Sequence, residues 1–149
     1  MKFLTAFLFA AFLMPPSVII WSTDFEKAKI EATTNHKLIL LSFSGSDWCI
    51  PCIKMKKEVF ESSEFQNFAA EKLVLVKADF PRLKKNQLDK QQTKQNEALA
   101  ARYNPQGAFP FTVLLDANGK VLKSWDGMYK KSPEEFTNEI DNVRHGSGK

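Results

Sequence analysis

Cysteine and histidine are both scarce in this chain of 149 residues, which holds two of each. A structural zinc site needs four ligands, and with no second cysteine pair, His36 and His145 stand too far apart in sequence to suggest one, so no metal is expected. No further disulfide can accompany the two cysteines, and stability must come from a hydrophobic core. No cysteine lies near the N-terminal apolar segment, which leaves no site there for lipidation. The basic stretch from Arg82 to Lys94 contains no aromatic residue, which argues against a nucleic-acid platform. No internal repeat is present, and nothing marks a second domain.

The two cysteines that exist stand together in Trp48-Cys49-Ile50-Pro51-Cys52. The apolar run Leu38 to Phe43 precedes them and a helix-like stretch from Ile53 to Phe60 follows. A Cys-x-x-Cys pair at a strand-to-helix junction places the first sulfur at the helix start. There the unpaired amides and the positive end of the helix favour thiolate over thiol. Thiolate is the species that attacks a disulfide, and a second cysteine three positions on can resolve the mixed disulfide. A purely structural bridge over so short a loop would remove little unfolded-state entropy. The pattern points to a dithiol–disulfide exchange centre, with an inert site on the same scaffold as the alternative.

The N-terminus reads as a secretory signal over residues 1–20. Lys2 is followed by the uncharged run Phe3 to Met14 and the break Pro15-Pro16-Ser17. No small-x-small triplet marks a cleavage site, and Val18-Ile19-Ile20-Trp21 prolongs the apolar character, so an uncleaved anchor through residues 3–20 is the alternative. An exported protein of the periplasm or cell envelope is expected, with a single domain over 21–145 and a flexible tail over 146–149. Composition is ordinary for a globular domain, at 44% apolar and 12% aromatic. The formal charge of +4 is concentrated in Arg82, Lys84, Lys85, Lys90 and Lys94, opposed locally by Asp89. That cluster reads as a solvated helix face, or as a docking surface for an acidic partner or for membrane headgroups.

Periodicity and turn chemistry predict a helix from Thr23 to about Asn35, on the pattern Phe25, Ala28, Ile30, Ala32, capped by Thr23 or Asp24. A buried strand is predicted over Lys37 to Ser44 and the motif turn over Ser44 to Asp47. Next comes a helix from Cys49 or Ile50 to about Phe60, with Pro51 in its first turn. A short helix through Ala70, capped by Ser62-Ser63-Glu64, and a strand from Leu73 to Phe80 follow. Residues 82–96 predict a loop leading into a helix that is firm from Asn96 to Tyr103. Phe111 to Leu115 is a strand, Asp116 to Gly119 an Asn-Gly hairpin turn, and Lys120 to Trp125 its return strand. The closing helix runs from Pro133 to about Arg144, before a frayed end from His145. Alternation that finishes in a hairpin implies an α/β fold with a mixed central sheet of four to five strands and helices on both faces.

With Trp48 to Cys52 after the first long strand and Phe109-Pro110-Phe111 opening the third, the chain resembles the thioredoxin superfamily over roughly Trp21 to Val143. The resemblance is to exported bacterial thioredoxin-like proteins. It implies Cys49 as the exposed nucleophile, Cys52 as the more buried resolving thiol, and no cofactor beyond the redox-active Cys49–Cys52 disulfide. Trp48 and Ile50 would shape an apolar rim for the substrate, and Pro51 would fix the backbone between the sulfurs. Pro110 would be cis beside the cysteines, leaving flanking backbone groups to pair with an extended substrate. Phe109 and Trp125 are expected as core or rim aromatics.

The departures are at Ser42, Ile53 and Asp47. The family's buried acid beneath the cysteines is replaced by Ser42, so deprotonation of Cys52 needs another route. Lys77 matches a family lysine on the neighbouring strand and could favour thiolate through its charge, or could simply be a snorkelling strand-end side chain. Ile53 stands where a basic residue is common, and Asp47, next to Trp48, could help deprotonate Cys52, although a carboxylate near Cys49 would disfavour that thiolate. The resemblance implies a monomeric reductase of disulfides in envelope proteins, fed by a membrane thiol donor. The alternatives are an oxidase or isomerase of the same fold, or a non-enzymatic module that binds extended peptides.

Overall fold

In the computed structural model, which describes residues 19–146, the apolar run after Lys37 becomes the middle strand of a sheet because both of its faces must leave water. This strand, β2 (Leu38–Ser44), sends Ile39, Leu41 and Phe43 into one core and Leu40 into the other. A period of two puts Ser42 on the Leu40 face. It pairs in parallel with β3 (Leu73–Asp79) and antiparallel with β4 (Phe111–Leu115). The hairpin partner β5 (Val121–Asp126) closes one edge, and the two-residue β1 (Trp21–Ser22) joins β3 in parallel at the other. Among the described residues this gives one mixed five-stranded sheet of order β1-β3-β2-β4-β5, the α/β thioredoxin-like architecture that the residue pattern implied.

Helices cover both faces. Phe25, Ala28 and Ala32 of α1 (Phe25–Asn35), with Leu99 and Tyr103 of α4 (Lys90–Tyr103), pack on Ile39, Leu41, Phe43, Val74 and Val76. On the opposite face α2 (Ile50–Met55), α3 (Ser63–Lys72) and α5 (Pro133–Gly146) bury Met55, Phe65, Phe136 and Ile140 against Leu40, Leu75 and Leu114. Each large apolar side chain buried in this way contributes about 1.5–3 kcal/mol, so two such layers can hold the fold without further cross-links.

Several expectations need correction. Helix α1 begins at Phe25, with Asp24 accepting the Lys27 amide as its cap, and Ile30 is exposed rather than inward. The helix after the cysteines is α-helical only to Met55 and continues as a π-helical turn over Lys56–Phe60. Helix α3 reaches Lys72, beyond Ala70, with Ser62 as its cap. Helix α4 starts at Lys90, not near Asn96, because Asp89 caps it through the Gln92 amide and the straight-chain Lys and Gln residues form helix without an apolar stripe. A 3₁₀ turn at Lys84–Asn86 occupies the loop before it. The return strand is shifted by one residue to Val121–Asp126.

Helix α5 extends through Gly146, because Asp141 binds the side chains of Arg144 and His145 and sustains the last turn. Gly146 is therefore helical and not part of a tail. The short β1 had no signal, since two residues show no alternation. The apolar segment read as a signal lies outside the described residues as far as residue 18, as do 147–149; Ile19 packs on the α3–α5 side of the core.

Candidate active site

The site is built where β2 runs out. The Gly45 carbonyl accepts the amides of Trp48 at 3.2 Å and Cys49 at 2.8 Å, closing the turn that delivers the motif. A side chain at Gly45 would not fit, because a Cβ there would lie 2.3 Å from Cε2 of Trp48. Cys49 is the N-cap of α2 in extended conformation, and its Sγ accepts the Cys52 amide at 3.3 Å. Pro51 falls in the first turn, where no partner for its nitrogen is needed. The two sulfurs are bonded to each other, with the Cα atoms 5.2 Å apart.

Cys49 and Cys52 are each 4% exposed, which corrects the expectation of an exposed first cysteine beside a buried second. In the oxidised pair the Cys49 sulfur is turned inward onto the helix amide and shares the burial of its partner. What distinguishes the two is the hydrogen bond. A first-turn N–H points at the sulfur of Cys49, and an N–H donor stabilises a sulfur anion more than a neutral thiol.

Beneath the disulfide a row of side chains crosses the sheet in register. Lys77 of β3 pairs with Ser42 of β2, Ser42 with Thr112 of β4, and Thr112 with Trp125 of β5. Ser42 and Thr112 are buried, and Thr112 Oγ1 has no hydrogen-bond partner among the described residues. Lys77 reaches the carboxylate of Asp79 at 3.5 Å, and Asp79 also accepts the amide of Ser46 at 2.9 Å and its hydroxyl. A cavity of about 380 Å³ opens beside Cys52, walled by Ser42, Lys77, Ile53, Met55, Phe60 and Pro110. The lining carries hydroxyls and ammonium groups but no carboxylate. A hydroxyl is too weak a base to take the Cys52 proton near neutral pH, and the cavity is the space that Cys52 shares with Ser42 and Lys77.

The other side of the pair is an aromatic rim. The Trp48 indole donates to the Phe80 carbonyl at 2.7 Å and meets Phe109 edge-on, with 5.5 Å between ring centroids. Phe80 packs on Phe109 in the same way. The Phe109–Pro110 bond is cis, and Pro110 lines the cavity with Cys52. Ile50 is 77% exposed and stands with Pro51 at the outer edge. Trp125 lies away from this rim, in the core against Phe136.

Asp47 is tied to the loop that follows β3. Its oxygens accept the amides of Arg82 at 2.9 Å and Leu83 at 3.0 Å, and the side-chain amide of Asn86 at 3.0 Å. These donors, the Arg82 amide foremost, hold its carboxyl below the usual range. The Arg82 guanidinium then lies over the Trp48 ring at 3.7 Å. Sequence reasoning passed over Arg82 as a rim residue because its partners stand more than thirty positions earlier.

Comparison with known proteins agrees with this geometry. The thioredoxin-like domain family matches residues 25–144. The chain is 43% identical over 99 residues to the disulfide bond reductase DsbH of Chlamydia pneumoniae, an alignment covering 66% of this chain and 58% of that protein. It is 35% identical over 97 residues to the thioredoxin-related protein DsbJ of Chlamydia pneumoniae, covering 65% of this chain and 27% of the relative. Both alignments thus span less than two thirds of the curated relatives' own lengths. A solved DsbH oxidoreductase superposes with a TM-score of 0.76 at 34% identity, covering 84% of this chain and 83% of that one.

Proposed function

The chain belongs to the thioredoxin superfamily, and from that premise we propose that it is an exported thiol–disulfide oxidoreductase that reduces disulfides in envelope proteins. The observation that carries the reading is the Cys49–Cys52 pair at the start of α2, with the Cys52 amide on the Cys49 sulfur. In the reduced protein the Cys49 thiolate attacks one sulfur of a substrate disulfide. A mixed disulfide forms, and the other substrate sulfur leaves as a thiolate that takes up a proton. Cys52 loses its proton and attacks the Cys49 sulfur. The Cys49–Cys52 bond forms, the second substrate thiol is released, and two electrons have passed from protein to substrate.

Trp48, Ile50 and Phe109 give the substrate an apolar surface, and the backbone around Pro110 offers pairing to an extended chain. Lys77 stands across the cavity as a cation that favours the thiolate of Cys52 when it forms. The dipeptide Ile50–Pro51 places no charge between the sulfurs, which supports the reducing direction, because a cation there would favour the dithiol form. A membrane thiol donor would restore the dithiol, and residues 3–20 would direct export or anchor the protein.

Two measurements test this. Cys52→Ser should trap substrates as mixed disulfides on Cys49, whereas Cys49→Ser should abolish reduction of insulin. A reduction potential close to about −270 mV agrees with a reductase, and one close to about −120 mV would reverse the assigned direction. Trapping by Cys49→Ser instead would exchange the two roles.

A further inference from the structure

The basic loop between β3 and α4 is fastened to the turn that carries the cysteines. Ser46 donates twice to Asp79, Asp47 accepts from Arg82, Leu83 and Asn86, and the Trp48 indole donates to Phe80. Three consecutive residues immediately before Cys49 therefore hold the chain from Asp79 to Asn86 in place. That stretch presents Arg82, Lys84 and Lys85 to solvent, with Leu83 49% exposed among them.

Charge balance sets this edge apart from the rest of the site. The two cations that line the cavity each have a carboxylate within reach, Glu61 for Lys56 and Asp79 for Lys77. Arg82, Lys84 and Lys85 take part in no ion pair among the described residues. The nearby carboxylates of Asp47 and Asp89 are turned onto backbone amides. A substrate disulfide approaching Cys49 thus meets an apolar rim at Ile50 and Trp48, and a net positive edge, three cations against the one carboxylate of Asp47, that begins at Arg82 over the Trp48 ring.

We propose that the Arg82–Lys85 loop is a specificity element, selecting polypeptides that carry acidic residues beside the disulfide to be exchanged. This rests on the exchange reading above. Fixed cations at the edge of an interface act mainly on encounter and register, and their effect is screened by salt. Arg82 has a second restraint, since its guanidinium lies flat on Trp48, where it can still receive a carboxylate at its edge.

The test uses the full chain, kept reduced by dithiothreitol, and three cyclic peptides that each contain one disulfide. They are identical except for a Glu-Glu, Gln-Gln or Lys-Lys pair next to one cysteine. The Glu-Glu peptide should be reduced with a kcat/KM about three- to tenfold above the Gln-Gln peptide at low salt. That ratio should fall toward one at about 1 M salt, where the screening length is about 3 Å. Lys84→Glu with Lys85→Glu should invert the order, favouring the Lys-Lys peptide. Equal rates for all three peptides with the unaltered protein would overturn the proposal. So would a preference that survives the charge reversal. If the peptides are not distinguished but the protein sediments with phosphatidylglycerol vesicles through Lys84 and Lys85, the loop contacts lipid and the proposal is wrong. Reduction of the Gln-Gln peptide reports on the exchange reading separately, so failure of one is not mistaken for failure of the other.

Discussion

Glu139 is the group whose loss should weaken the fold in the most pH-dependent way. From α5 its carboxylate accepts the Trp125 indole at 3.0 Å and the Tyr129 hydroxyl at 2.9 Å, and it pairs with Lys123 at 2.9 Å and Lys131 at 3.2 Å. Trp125 and Tyr129 are themselves buried against Phe136. The clamp therefore ties β5 and the chain after it to the helix that covers the site-bearing face of the sheet. The indole N–H foremost, then Lys123, with Tyr129 and Lys131 adding, lowers the Glu139 carboxyl from 4.5 to about 2 against the opposing effect of burial. Burial foremost, and then the same carboxylate, pushes the Tyr129 hydroxyl upward.

A carboxyl depressed in the folded state contributes stability above its unfolded value and loses it as pH falls through the folded one. The window here runs from about 4.5 down to about 2. At full strength the difference is worth roughly 3 kcal/mol. With a quarter of the Glu139 side chain exposed, about 2 kcal/mol is the expected share. Glu139→Gln should lose about that much at pH 7 and progressively less toward pH 3. Glu139→Ala should lose roughly 1 kcal/mol more, because two buried donors are left without an acceptor. Urea unfolding of the oxidised protein, followed by circular dichroism between pH 7 and pH 3, measures both. If the unaltered protein and Glu139→Gln lose stability in parallel over that range, the carboxylate is not the source of the acid sensitivity and the argument fails.

Two other substitutions probe the site from opposite sides. Gly45→Ala should cost about 1–3 kcal/mol and also slow substrate reduction, because the new methyl group displaces the Trp48 indole from the Phe80 carbonyl; an unchanged urea midpoint together with unchanged turnover would contradict it. Thr112→Val should raise the stability of the oxidised protein by about 1 kcal/mol, since it removes a buried hydroxyl without a partner from the row beneath Cys52; a clear loss on urea unfolding would mean that the hydroxyl is engaged in the folded protein.

Legibility in the sequence followed the range of the interactions that decide each element. The motif turn, β2, β4 and the hairpin at Asp116 to Gly119 could be read because a few adjacent residues determine them. Gly119, for instance, sits at φ 84°, and Asp116 accepts the amides of Asn118 and Lys120. The first turns of α4 could not be read, because that helix begins on a polar surface where no apolar period exists. Its start rests on one cap and on Gln92 and Gln95 reaching back to the Thr23 carbonyl. β1 exists only because β3 offers a free edge to Trp21 and Ser22.

The candidate site divides in the same way. Cys49, Cys52 and Pro110 were visible because each belongs to a short pattern with a chemical reason. Ser42 on the Leu40 face was visible too, since only its place in β2 was needed. The partners of Asp47 were not legible, because they stand far along the chain: its oxygens are committed to donors at positions 82, 83 and 86. That commitment changes the meaning of the basic cluster. Lys90 and Lys94 lie on a helix surface, as a solvated face requires, whereas Asp47 holds the backbone of Arg82 and Leu83 beside the motif turn and the Arg82 guanidinium lies over the Trp48 ring. A charge run is ambiguous in one dimension because its position relative to the chemistry is unknown. Here the hydrogen bonds of Asp47 fix that position, and a surface that composition alone would leave as solvent stands beside the turn that carries the cysteines.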